Sequence, residues 1–336
     1  MFWIGLNLKN QICVCRLMPV EISAIICTRN RAVFLEKCLC GLLRQTLSPG
    51  HYEIIVVDNG STDNTSEILD KYADNPLVHV VNEPVAGLSR ARNRGLKEAK
   101  ASYVGYIDDD AVPGEKWLEA ALEAFRGINP VPDWVGGPVT LEWEVAKPDW
   151  INEELSAPLG WVNWGNFPRP LKTSEWLIGA NSCFRKDSLE KFAGFDERLG
   201  RKGSCLLSGE ETQIKKKIEA SGGIIYYHPD VTVRHFVPAD RAKTSWFYRR
   251  YFWGGVTDYY MKKAFINNSS AEAVVQLSSD SLQSRLTRLL GNIFCATGLS
   301  LSGTKTIHAR IYISYVFGWM FGIARWRNNN ELTKQS

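Results

Sequence analysis

Apolar positions in the first half of the chain come in short continuous runs rather than singly. Runs at 21–27, 52–57, 78–81 and 103–107 are rich in Ile, Val and Tyr, whereas 32–45, 65–73, 88–100 and 117–126 read as helices, Leu35, Leu39, Leu42 and Leu43 lying at helical spacing in the first. Continuous apolar runs of that length are strands buried on both faces, and helices between them make the crossovers. The order β-α-β-α-β-α-β-α predicts an α/β fold, a mostly parallel, doubly wound, Rossmann-like sheet. Each run ends in polar residues: Thr28 and Asn30, Asp58, Asn82 and Glu83, then Asp108, Asp109 and Asp110. Ligands of such sheets bind outside the carboxyl ends of the strands, so these ends make one site. Three adjacent carboxylates repel one another, and a hard divalent cation is one reason to keep them together. A solvated acidic turn before a helix is the plainer alternative.

Beyond 128 the pattern changes. Seven prolines and five tryptophans interrupt 129–170, which reads as a long irregular region with one strand at 135–144. Most of these tryptophans are expected to pack, with one or two left to stack on sugar faces. A small-residue turn follows at Gly179, Ala180, Asn181 and Ser182. Helices at 188–192 and 213–221 and strands at 224–228 and 231–235 come next, the last ending at His235.

Composition narrows the picture. The 336 residues suffice for one large domain or two smaller ones, and the net charge of +4 does not argue for nucleic acid, which is not expected as a partner. The 8 cysteines lack zinc-finger spacing, and several fall inside expected strands and helices. That suits a reduced, cytoplasmic protein. Residues 1–19 lack a secretory pattern and read as a poorly ordered extension. Neither G-x-G-x-x-G nor the P-loop motif occurs. The C-terminal region is aromatic and basic, and 281–330 contains no Asp or Glu. Its apolar stretch 311–324 is shorter than the roughly 20 residues of a spanning helix. It either lies on a membrane interface, with the protein peripheral on the cytoplasmic face, or packs on the core as a helical hairpin.

The motifs Ile25-Ile-Cys-Thr-Arg-Asn-Arg31, Val56-Val-Asp-Asn-Gly-Ser-Thr-Asp63, Gly87-Leu-Ser-Arg-Ala-Arg-Asn93, Ile107-Asp-Asp-Asp110, Gly179-Ala-Asn181 and Gly209-Glu-Glu211 occur in the order found in glycosyltransferase family 2, which this chain resembles over about 20–240. The resemblance implies a GT-A fold and transfer from a nucleotide sugar with inversion at the anomeric carbon. It implies a nucleotide-sugar half at 20–128, an acceptor and catalytic-base half of the same domain at 129–240, and an appended helical region at 241–336. Asp108 and Asp110 would be the outer members of the D-x-D metal motif for Mg²⁺ or Mn²⁺, with His235 beside the ion. Asp109 would serve the nucleotide or cap a helix. Thr28, Asn30, Arg31, Asp58, Gly87 and Asn93 would contact the donor. One of Arg90, Arg92 and Arg94 would meet the diphosphate, Arg90 being the assignment. Gly179, Ala180, Asn181 and Trp176 would face the acceptor.

The catalytic base would be Glu211 or Glu210. The family usually has Glu-Asp where this chain has Glu-Glu, so the choice stays open. The implied reaction is metal-dependent sugar transfer from a UDP-sugar to a glycan or lipid-linked hydroxyl, in polysaccharide biosynthesis. Two other classes compete: a haloacid-dehalogenase-like phosphatase with Asp108 as nucleophile, and a non-catalytic carbohydrate-binding protein.

Overall fold

The structure is a computed structural model that describes residues 19–203, 205–267 and 303–332. The expected extension at 1–19 lies almost wholly outside these residues. Strands β1 (Ile22–Thr28), β2 (Tyr52–Asp58), β3 (Val78–Asn82) and β4 (Tyr103–Asp108) are separated by helices α1 (Ala32–Leu42), α2 (Thr65–Asp70) and α3 (Leu88–Glu98). They pair in parallel in the order β3-β2-β1-β4. Their register aligns the polar ends: Thr28 lies opposite Asp58, Cys27 opposite Asp108, and Asp58 opposite Asn82. The chain's direction of travel across the sheet reverses at β1, so the crevice between β1 and β4 is the switch point where such folds bind ligands.

The second half extends the same sheet. After α4 (Trp117–Gly127), β6 (Trp134–Gly136), β8 (Arg169–Pro170), β9 (Ser182–Arg185) and β10 (Ile225–Tyr227) complete the eight-stranded order β3-β2-β1-β4-β9-β6-β10-β8. Short helices α5 (Glu153–Ser156) and α6 (Lys186–Lys191) lie between these strands in sequence, and α7 (Glu210–Ala220) precedes β10. A smaller sheet, β5-β11-β7, joins β5 (Ala111–Pro113), β11 (Val233–Val237) and β7 (Val139–Trp143). The single strand expected at 135–144 is thus two strands in two sheets. Pro138 stands between them and has no N–H to offer a ladder. Strand β5 was not expected either, being only three residues long.

The core is a layer of Ile, Val, Leu and aromatic side chains on both faces of the large sheet. Trp117 and Trp134 are fully buried in it; of the other tryptophans of 129–170, Trp164 packs partly buried against this core, and Trp143 and Trp150 against a second cluster. The C-terminal helices α8 (Thr244–Asn267) and α9 (Gly303–Leu332) pack along each other. Phe247 of α8 and Ile311 of α9 join a second apolar cluster with Ile151, Leu155, Leu159 and Val237. The described part of this region therefore packs on the core by one side. Among the described residues no helix is long and apolar enough to cross a membrane. The described cysteines Cys27, Cys38, Cys40, Cys183 and Cys205 are free.

Candidate active site

Strand β4 delivers Asp108, Asp109 and Asp110 to the floor of a cleft of about 500 Å³ at the β1–β4 switch point. Asp109 and Asp110 are buried. Asp109 Oδ2 accepts from Thr28 Oγ1 at 2.8 Å, a bond that closes the β1 and β4 ends on each other. Arg31 Nη1 reaches Asp109 at 3.3 Å and Asp110 at 2.5 Å. Asp110 also meets Arg241 Nη2 at 3.1 Å and His235 Nε2 at 3.1 Å. His235 arrives because β11 pairs antiparallel with β5, which sets His235 opposite Ala111. Burial opposes ionisation of Asp110, but His235, Arg31 and Arg241 outweigh it and hold its carboxyl well below the ordinary range. Asp109 goes the other way: burial and the neighbouring Asp110 push it up to about 7 despite Arg31.

Ligand atoms of Asp108, Asp110 and His235 lie within 4.8 Å of one another. Two carboxylates and one imidazole form a donor set for a divalent ion that leaves positions open for phosphate oxygens. The buried His235 Nδ1 has no hydrogen-bond partner, so this ring is not committed to a structural pair at both nitrogens. The residues fit a metal.

A second acidic pair, on α7, is linked to Asp108 through Arg92. Helix α7 begins at Glu210, capped by Gly209 in the left-handed conformation with φ 101°. Arg92 binds both glutamates through Nη1, Glu210 Oε1 at 3.0 Å and Glu211 Oε1 at 2.9 Å, and approaches Asp108 Oδ1 with Nη2 at 3.5 Å. This buried guanidinium is thus the link between the two acidic groups. Phe195 lies beneath it, 5.4 Å from Cζ to ring centroid. Burial raises the Glu210 carboxyl, helped by Glu211, to about 7. Burial also works against ionised Glu211, yet Arg92 leads the interactions that hold it below its ordinary value. The pair therefore carries one firmly ionised member, Glu211, which is also the more exposed of the two.

The residues expected to contact the donor divide. Thr28, Asn30, Arg31, Gly87, Asp108, Asp109 and Asp110 line the cleft. Asp58 accepts from the Ser61 amide at 2.9 Å and shapes the loop behind the cleft instead of lining it. Asn93 is turned to the far side, where it exchanges hydrogen bonds with the backbone of Phe195. Arg90 pairs with Glu197 at 2.6 Å, half-exposed and away from the cleft, and Arg94 pairs with Glu98 on the same helix. Arg92 is the arginine of α3 that reaches Asp108 and the glutamate pair. Gly179, Ala180 and Asn181 are buried. Asn181 serves the frame, accepting from Trp117 Nε1 at 2.7 Å and donating to Val231 O at 2.7 Å. Gly179 is needed as glycine, since a Cβ there would lie 2.1 Å from Arg92 Nη2 and 2.2 Å from Glu211 Oε1. Trp176 is 38% exposed and meets Trp164 edge-on, ring centroids 4.6 Å apart.

Other functional candidates were missed. Asn59 is buried and holds the 83–87 loop, donating to Glu83 O and Val85 O and accepting from the Gly87 amide. Arg29, Arg201, Arg241, Arg249 and Arg250 join Arg31 around the cleft. Burial and the nearby Arg201 lower Arg250 to about 10, and its Nε has no partner. The Arg249-Arg250 pair was visible in the sequence as a basic aromatic run, but nothing local tied it to the strand ends.

Residues 23–144 match the family model described as glycosyl transferase family 2. The chain is 27% identical over 240 residues to the glucosyl-dolichyl phosphate glucuronosyltransferase of Haloferax volcanii, covering 70% of this chain and 75% of that protein. Among solved structures it is similar to the mannosyltransferase PcManGT from Pyrobaculum calidifontis in complex with GDP-Man and Mn²⁺, with a TM-score of 0.61 at 18% identity, covering 91% of this chain and 89% of the other. It is also similar to S. aureus TarS 1-349 in complex with UDP-GlcNAc, with a TM-score of 0.50 at 18% identity, covering 71% and 66%.

Proposed function

The chain is a family 2 glycosyltransferase on a GT-A fold, and from that premise we propose metal-dependent, inverting transfer of a sugar from a nucleoside-diphosphate donor to a hydroxyl of a glycan or lipid-linked acceptor. The observation that carries this reading is Arg92, which bonds a separate glutamate pair and approaches Asp108 of the strand-end acids. A phosphatase using Asp108 would have no use for that pair, and a carbohydrate-binding protein would have no use for either group. Both alternatives are set aside with the family assignment.

Asp108, Asp110 and His235 would hold Mn²⁺ or Mg²⁺. A bound ion supplies Lewis-acid stabilisation of the departing diphosphate. Arg29, Arg31, Arg201, Arg249 and Arg250 give further charge-assisted bonds to phosphate oxygens. Thr28 and Asn59 shape the nucleotide end of the cleft. Glu211 takes the proton of the acceptor hydroxyl as that oxygen bonds to the anomeric carbon and the bond from that carbon to the diphosphate breaks. Attack opposite the leaving group inverts the centre, by the logic of a one-base displacement. Glu210, raised to about 7, is only partly ionised at neutrality and so limits the charge beside Glu211. Gly179 and Ala180 frame the acceptor side, and Trp176 offers it an aromatic face.

A UDP-sugar is the working donor, with a GDP-sugar as the other arm of the test, since the similar solved structures carry one of each. The same reading puts the enzyme in the cytoplasm, peripheral on the cytoplasmic face of the membrane, in polysaccharide or lipid-linked glycan synthesis. The test is a thermal-shift panel of nucleotide sugars with Mn²⁺, followed by assay of the stabilising donor with candidate acceptors and NMR of the product anomer. A true donor at 100 times its Kd stabilises the fold by about 2.7 kcal/mol. Retention of anomeric configuration in the product, or stabilisation by no donor, would refute the reading.

A further inference from the structure

Helix α9 is built with two unlike faces. Its inner face packs on α8 so closely that a Cβ on Gly318 would lie 1.8 Å from Phe252 O. Tyr315 on this side donates to Asp258 at 2.6 Å, and Trp319 meets Tyr259 edge-on, centroids 5.4 Å apart. The outer face carries Phe317 and Met320, which are 61% and 57% exposed, and at its edge Phe321, 45% exposed, whose ring also leans on Phe252 of α8 with centroids 5.5 Å apart. These three positions, at i, i+3 and i+4, fall on one side of a helix, and exposed Arg310 and Ala324 extend that side over about 21 Å. A fixed, contiguous apolar stripe of this kind marks an interaction surface rather than scattered exposure.

Charge decides among partners. From 281 to 330 the sequence has no Asp or Glu, and holds Arg285, Arg288, Lys305, Arg310, Arg325 and Arg327. An apolar stripe inside a purely basic segment, on a helix unable to span a bilayer, matches a helix that lies in the headgroup layer of an anionic membrane. We propose that the outer face of α9 docks this enzyme on an anionic lipid surface. Because α8 also sends Arg249 and Arg250 into the catalytic cleft, docking by its partner helix holds that cleft at a set height above the bilayer. The purpose of the contact rests on the lipid-linked acceptor proposed above, while the contact itself does not.

The test is flotation of the full chain with phosphatidylcholine vesicles, with and without roughly one-third phosphatidylglycerol. The wild type is expected to float with the anionic vesicles and to be released by high salt. The triple variant Phe317→Ser, Met320→Ser, Phe321→Ser should partition at least about tenfold more weakly, with Phe317→Ser alone in between. Val33→Ser, which changes an exposed apolar residue of α1, should float as the wild type does. Wild type that ignores anionic vesicles, or a triple variant that floats equally well, would overturn the proposal. So would a wild-type dimer that the triple variant converts to monomer with no change in flotation, which would assign the stripe to a second copy. The Mn²⁺-dependent melting shift with nucleoside diphosphate serves as the folding control for each variant. Its absence from the wild type would count against the proposed transfer reaction and leave the flotation result to be judged alone.

Discussion

Arg92 shows at the scale of single residues what a sequence can and cannot locate. Spacing along α3 says that Arg90 and Arg94 share a face and that Arg92 does not. It does not say which face meets the strand ends. That depends on how the helix is rotated against β1 and β2, a property of packing. The same limit left Glu210 and Glu211 unresolved. Their different environments separate them, one buried with a raised carboxyl and the other held ionised by Arg92. Glu211→Gln should lower kcat by about 10² to 10⁴ while leaving donor binding within a few fold, whereas Glu210→Gln should cost less; steady-state and binding assays of both variants check this. Gly179→Ala should keep the fold but push Arg92 and Glu211 apart, lowering kcat by about tenfold or more. Circular dichroism beside the transfer assay distinguishes that from unfolding. Glu210 also has a pH signature. Its folded value of about 7 stands above the ordinary 4.5, so its favourable contribution is complete below 4.5 and is lost as pH rises through 7. Glu210→Gln should flatten the fall in Tm between pH 5 and 8, by calorimetry, and a variant that falls as steeply as the wild type would contradict the assignment.

The elements that mattered most were the shortest and the last. The strands and helices up to α4 were legible because long apolar runs and helical spacing alternate cleanly there. Strand β5 was not, since three residues carry no period, yet its pairing with β11 is what sets His235 beside Asp110. The segment 135–144 looked continuous because its apolar residues are, and only the two-sheet architecture explains its division at Pro138. Helix α8 was legible as a basic aromatic stretch with no visible connection to chemistry. In the fold its Thr257 accepts from the Ser208 amide, bracing the start of α7, and its Arg250 points into the cleft. Replacing Arg250 with Gln should therefore weaken nucleoside-diphosphate binding by about 10- to 100-fold, the worth of one or two bonds to a charged group. Calorimetric titration measures it, and unchanged affinity would place the diphosphate elsewhere.

For the molecule as a whole, one eight-stranded sheet runs through both expected halves, and the C-terminal hairpin forms part of the wall of the cleft that the sheet opens. The order of motifs in the sequence was enough to indicate this architecture, because each motif is a strand end or a helix start and the fold brings such ends to one side. It could not indicate that the metal-type group and the base-type group share a single guanidinium. Asp110 and Glu211 do not touch that guanidinium alike, since Arg92 bonds Glu211 but not Asp110, so each can be altered separately. The most direct measurement is calorimetric titration of UDP and GDP, with Mn²⁺ and with chelator, into the wild type, Asp110→Asn and Glu211→Gln. The account predicts that one of the two nucleotides binds the wild type and Glu211→Gln with Mn²⁺ at similar affinity. It predicts that binding weakens by at least about tenfold with chelator or in Asp110→Asn. Equal binding to all three proteins with and without metal would contradict it.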